Sequence, residues 1–167
     1  MRVLIVKTTS MGDVVHAVPV VEDIKRFISD AEIDWLVEDS FADIPRHVAG
    51  VSEVIECSVR KWKKRIFEKS TRDQIKALRE RLRSKHYDLV IDLQGLIKSA
   101  VLASWSNAPV AGYDRRSGKE PLATVLYSVK SSVGRQKSAV DRCRELAAKS
   151  LGYDLGSTKP QFNFKFE

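Results

Sequence analysis

The sequence predicts an α/β fold, a Rossmann-like parallel sheet with helices on both faces. Two observations carry the fold class. Short apolar runs of strand length alternate with segments of helical periodicity along most of the chain. The clearest of these runs, Val3 to Val6 and "YDLVIDL", are apolar almost throughout, as strands covered on both faces are. A third observation sets the scale: 167 residues, 43% of them apolar, suffice for one well-buried domain.

Taken in order, residues 2–7 read as a buried strand that stops at Lys7. Residues 13–28 read as a helix with Val14, Ala17, Val18, Val21, Ile24 and Ile28 on or near one face, kinked at Pro19. "EIDWLVED" (32–39) is a second strand, 40–50 a short helix ending in glycine, and "VSEVIECS" (51–58) a third strand. The stretch "RKWKKR" (60–65) reads as a loop, and 71–86 as a helix that places Ile75, Leu78 and Leu82 at helical spacing. "YDLVIDLQG" (87–95) is a fourth strand, 96–106 a helix, "APVAGYD" (108–114) a fifth strand, 120–128 a short helix and 138–152 a longer one. Residues 1–153 are therefore expected to form one domain. In 154–167 the alternation of Phe162, Phe164 and Phe166 opens a strand-like pattern, which reads as the start of an interdomain linker with a second domain absent. There is no internal repeat and no low-complexity segment.

Composition narrows the function. No run of about 18 apolar residues is present, and the apolar run after Met1 is too short for a signal peptide, so a cytoplasmic location is expected. Cys57 and Cys143 have neither metal-ligand nor disulfide-framework spacing and are expected to be reduced thiols. The formal charge of +7 is unevenly spread: Arg60 to Lys85 holds twelve Lys or Arg against three acids, a net of +9. In the helix at 71–86 these cations read as a solvated face. Five cations in six positions around Trp62 repel one another and point to an anionic partner, as does the second basic cluster, Tyr113 to Lys119.

The strand-one loop, "KTTSMGD", has the place of a phosphate-binding turn, yet it lacks GxGxxG and GK[ST] and carries Asp13 where a phosphate would meet the helix. In a parallel sheet ligands bind beyond the carboxyl ends of the strands, so this loop, "DLQG", "VEDSF", "ECSVRKWKKR" and "GYDRRSGK" are expected on one rim. Asp13 has two readings: an N-cap whose ionised form the helix dipole favours, or a base that accepts a proton from a hydroxyl as that hydroxyl attacks an electrophile.

The blocks "MRVLIVKTTSMGDVVHAVP", "VRKWKK", "YDLVIDLQGLIKSA" and "EPLA" resemble the amino-terminal half of the lipopolysaccharide heptosyltransferases of glycosyltransferase family nine, from Met1 to about Tyr153, and the enzyme that acts first more than the second. The resemblance implies a GT-B fold of two Rossmann-like domains facing a cleft. It further implies transfer of L-glycero-D-manno-heptose from ADP-heptose to the Kdo of Kdo-lipid A, with inversion, no metal and no cofactor, at the cytoplasmic face of the inner membrane. Asp13 then matches the general base, and Ser10, Met11 and Gly12 the loop that holds it near the donor. Lys7, Arg60, Lys61, Lys63, Lys64, Lys98 and Lys119 match the acceptor-binding set, and Gln94 belongs to the same block as Lys98. ADP-heptose would be held mostly by the missing domain. Lys119 stands where relatives have Arg, which keeps the charge but loses the bidentate fork. Ser138 stands where a histidine is common, so no role carries over there.

Other readings are weaker. His16 with Asp13 could form a dyad, but no serine or cysteine nucleophile is evident. A phosphoacceptor domain using Asp92 would need acidic residues after strand one, where Lys7, Thr8 and Thr9 stand. A basic nucleic-acid-binding module without catalysis, with Trp62 stacking on a base, is the principal alternative. It leaves Asp13 and Asp92 on one rim unexplained, so no nucleic-acid partner is expected.

Overall fold

A computed structural model describes residues 1–166. Six parallel strands, β1 (Arg2–Val6), β2 (Glu32–Glu38), β3 (Val51–Cys57), β4 (Leu89–Asp92), β5 (Val110–Tyr113) and β6 (Val129–Ser131), form one sheet in the order β3-β2-β1-β4-β5-β6. Seven helices cover it among the described residues: α1 (Met11–His16), α2 (Val18–Phe27), α3 (Asp43–Arg46), α4 (Val59–Lys64), α5 (Lys69–Ser84), α6 (Ile97–Ser104) and α7 (Ala139–Leu151).

Period-two alternation divides the core. Val3 and Ile5 of β1 pack with Val14, Val21, Ile24 and Leu146 under α1, α2 and α7. Leu4 and Val6, one residue out of phase, pack with Trp62, Leu78, Leu82 and Ala103 under α4, α5 and α6. Because both faces are buried, β1 from Val3 to Val6 and β4 from Leu89 to Ile91 are apolar at every position, which is the pattern that predicted the sheet. On the first face a buried ion pair joins α2 to α7: the Arg144 guanidinium donates to Asp23 at 2.7 and 2.9 Å. The same guanidinium donates to the Thr158 carbonyl at 3.2 Å, drawing the segment after α7 back onto the domain.

Several elements differ from the sequence reading. The helix expected at 13–28 begins at Met11 and is interrupted at Ala17, so Pro19 sits at the second position of α2, where its missing N–H costs no hydrogen bond, and does not kink a continuous helix. The basic stretch expected to be a loop is helix α4. Its first free amides, Val59 and Arg60, donate to the Glu38 carboxylate at 3.3 and 3.1 Å, and Trp62 turns into the core. The 40–50 segment is a 3₁₀ turn at Asp39–Phe41 followed by α3, and 120–128 is a 3₁₀ helix at Pro121–Leu126. Strand β6, three residues long, carried too few apolar positions to be recognised. The Phe162–Phe166 alternation makes a single antiparallel bridge, Val48 with Phe164, and no longer strand; Glu167, the last residue of the expected linker, lies outside the described residues.

Candidate active site

The sheet order reverses between β1 and β4, and the crevice at their carboxyl ends is where such folds bind ligands. Gln94, just past β4, holds the loop after β1. Its side-chain oxygen accepts the Thr8 amide at 2.7 Å and the Thr8 hydroxyl at 2.6 Å, while its amide donates to the Thr9 hydroxyl at 3.0 Å. Lys7, 7% exposed, donates its ammonium to the Leu93 carbonyl at 3.1 Å. Two strand ends are thus bolted together by side chains of each other's loops.

Asp92 anchors this arrangement from below. One carboxylate oxygen accepts the Gln94 and Gly95 amides at 3.0 and 3.3 Å; the other accepts the Ser99 hydroxyl at 2.9 Å and the Tyr127 hydroxyl at 2.5 Å. Burial pushes its carboxyl above the ordinary range, against the pull of the Tyr127 and Ser99 hydroxyls and the two amides. Asp92 is fully buried and does not share the rim with Asp13, contrary to the sequence reading. Gly95 has φ +73°, a left-handed turn that suits glycine. Gly112 in β5 lies under the Tyr127 ring, where an added Cβ would come within 2.2 Å of a ring carbon.

Asp13 stands at the third position of α1, not at its N-cap; Ser10 is the capping residue, and its amide donates to the Asp13 carboxylate at 3.3 Å. The half-buried Asp13 side chain lines a cleft of about 50 Å³ with Lys7, Gln94, Tyr113, Lys119 and Arg142. Arg142 was not singled out by sequence. Its guanidinium lies over the Tyr113 ring, 4.8 Å from the centroid, and donates to the Ser117 carbonyl. Nothing in "SAVDRCREL" distinguishes it from the other helix cations, because its role comes from where β5 ends. Cys143 also borders the cleft, with its thiol pushed up by burial. Both cysteines are free and buried.

The remaining expected residues are divided. Met11 and Gly12 are exposed at the start of α1. Lys119 borders the cleft from the solvent side, and Lys98 lies half-buried in the first turn of α6, outside the cleft lining. Arg60, Lys61, Lys63 and Lys64 lie on α4 after β3, the sheet edge two strands from β1, about 10 Å away in strand spacings. Lys61 pairs with Asp39 at 3.1 Å, and Arg60 lies over the Phe41 ring at 5.7 Å. Trp62, 7% exposed, donates to Gln74 at 2.9 Å and is not available to stack on a base. That removes the main support for the nucleic-acid alternative. A hollow of about 430 Å³ is a groove on the outer face of α5 lined by Arg72, Lys76, Arg79 and Arg83, and it shares no residue with the strand-end crevice. Among the described residues no three His, Cys, Asp or Glu side chains are grouped to hold a metal ion, and no helix is long and apolar enough to cross a membrane.

The family model "Glycosyltransferase family 9 (heptosyltransferase)" matches residues 75–167. The chain is 46% identical over 163 residues to lipopolysaccharide heptosyltransferase 1 of Escherichia coli strain K12, which covers 97% of this chain and 51% of that protein. It superimposes on the structure of E. coli heptosyltransferase WaaC with ADP-2-deoxy-2-fluoro heptose with a TM-score of 0.93 at 45% identity, over 97% of this chain and 52% of that one. E. coli ADP-heptose lps heptosyltransferase II shares the fold, with a TM-score of 0.71 at 17% identity, over 100% of this chain and 47% of that one. The chain spans about half the length of the curated relatives it matches.

Proposed function

Because the chain belongs to glycosyltransferase family 9, the heptosyltransferases, we propose that it is the acceptor-binding half of an inverting enzyme that moves L-glycero-D-manno-heptose from ADP-heptose to the Kdo of Kdo-lipid A. Residues 1–153 are the acceptor domain, and 154–167 open the linker to a donor domain that binds most of the ADP-heptose. Asp13 accepts the proton of the acceptor hydroxyl as its oxygen attacks the anomeric carbon. The new C–O bond forms on the face opposite the diphosphate, the old one breaks, and the electron pair leaves with ADP through an oxocarbenium-like state.

Ser10, Met11 and Gly12 hold that carboxylate against the reacting centre, and Lys7 fixes the loop. Lys119 and Lys98, together with Arg60, Lys61, Lys63 and Lys64 along α4, draw in the anionic acceptor. Arg142 adds a cation at the cleft that the motif comparison did not single out. The acceptor and its lipid place the enzyme's work at the cytoplasmic membrane surface.

The observation that carries this reading is a half-buried carboxylate at the β1–β4 switch point with cations on either side of it and no phosphate-cradling glycines. The test is Asp13→Asn in the full-length protein, with ADP release as the readout. Turnover is expected to fall by about 10² to 10⁴ with acceptor binding retained. Near-normal kcat would reduce Asp13 to a first-turn helix residue.

A further inference from the structure

Between α4 and α5 the chain turns at residues 65–68, and the tip of that turn is apolar. Phe67 is 93% exposed and Ile66 47%, and neither is among the residues packed on the core. Single exposed apolar side chains are ordinary. Two consecutive ones at the tip of a turn, with Lys63, Lys64 and Arg65 before them and Lys69 after, are a different arrangement. None of those four cations makes an ion pair among the described residues. Glu68 is the only acid in the turn.

We propose that this turn is a membrane-docking wedge: Ile66 and Phe67 enter the headgroup–acyl boundary of an anionic bilayer while Lys63, Lys64, Arg65 and Lys69 lie against its lipid phosphates. Charge complementarity selects the occupant. Each basic side chain near an anionic surface contributes roughly a five-fold gain in partition, and an inserted Phe contributes about ten-fold or more. The alternative polyanion, a nucleic acid, finds a single exposed ring, Phe67, beside an aliphatic Ile66 with no π face, and Trp62 is buried, so there is no run of aromatic faces for successive bases to stack on. Position agrees as well. Helix α4 begins where β3 ends, at the same end of the sheet as the Asp13 cleft, so docking by the wedge presents that end to the bilayer. The inference leans on the acceptor reading for the biological need of a membrane, but its test does not.

The test is co-sedimentation of the full-length protein with vesicles of phosphatidylcholine alone and of equimolar phosphatidylcholine and phosphatidylglycerol, neither of which contains an acceptor sugar. Native protein is expected on the anionic vesicles only, and less so at high salt. The double variant Ile66→Ser/Phe67→Ser is expected to lose partition by about ten-fold or more at an unchanged melting temperature. Phe67→Trp is expected to shift its added emission to the blue on anionic vesicles. Turnover on a water-soluble, acyl-free acceptor should be equal in native and double-variant protein, which separates a failed wedge from a failed transfer reading. Equal sedimentation of native and double-variant protein, equal binding to neutral vesicles, or no emission shift would overturn the proposal. So would single-stranded RNA binding that the double variant abolishes.

Discussion

At the mouth between β1 and β4 the innermost cations are fastened, whereas on α4 Lys63 and Lys64 are loose. Lys7 is tied to a backbone carbonyl, and Arg142 to a carbonyl and an aromatic face. Among the described residues only Lys61 of α4 has a carboxylate partner, and Lys63 and Lys64 are exposed. A fastened charge loses little entropy when a ligand arrives and can fix one geometry; a loose one contributes a field that salt screens. The contrast teaches that the same residue types serve two ends. The crevice orients a reacting group, and α4 gathers a large anion.

The difference should appear first in stability. Asp92→Ala orphans the Tyr127 hydroxyl and two amides under the crevice, and is expected to destabilise by about 3 kcal/mol or more, at about 1–3 kcal/mol for each buried unpaired group. An unmoved urea midpoint would mean the crevice is not wired as described.

A middle case lies at the far end of the basic segment, where Glu53 binds both Lys85 and Arg81. The Lys85 hydrogen bond, against burial and with help from Arg81, holds the Glu53 carboxyl below its ordinary value of 4.5. A depressed folded value means stabilisation that is present above about pH 4.5 and is lost as pH falls through the folded value. Glu53→Gln should therefore cost at most about 1 kcal/mol at neutral pH, discounted for its partial exposure, and the gap in melting temperature from native should close on acidification. A gap that widened in acid would reverse the assignment.

The smallest stability effect is expected where the charges are loosest. Arg60→Glu/Lys64→Glu should change unfolding free energy by no more than about 0.5 kcal/mol. Calorimetry should nonetheless find weaker binding of Kdo-lipid A, with a shallower dependence on salt. A large loss of stability in this variant would erase the contrast between the two regions.

The fold class was legible because burial on both faces writes itself into continuous apolar runs, clearest in β1 and β4, and the alternation of strand-length and helical segments marked β2, β3 and β5. β6 was not, since three residues at an exposed edge carry no such run. Helix α4 was read as a loop because its pattern of cations gives no periodicity; just Val59 and Trp62 pack inward, and the carboxylate that receives its first amides comes from β2, out of reach of any local reading. At the crevice, Asp13, Lys7 and Lys119 were visible through motif and strand ends. Arg142 was not, because what brings it there is the crossing of α7 over the end of β5. Asp92 was misplaced on the rim since sequence shows that a strand ends in a carboxylate but not which way it turns.

Gly112 gives the sheet a historical constraint. Any side chain there would strike the Tyr127 ring, and moving that ring withdraws the hydroxyl from Asp92. Positions 112, 127 and 92, each on a different element, are therefore not free to drift one at a time. A lineage that acquires alanine at 112 must trade Tyr127 for a smaller residue and find the carboxylate another donor, so across diverged descendants the three positions should change as a set or stay as they are.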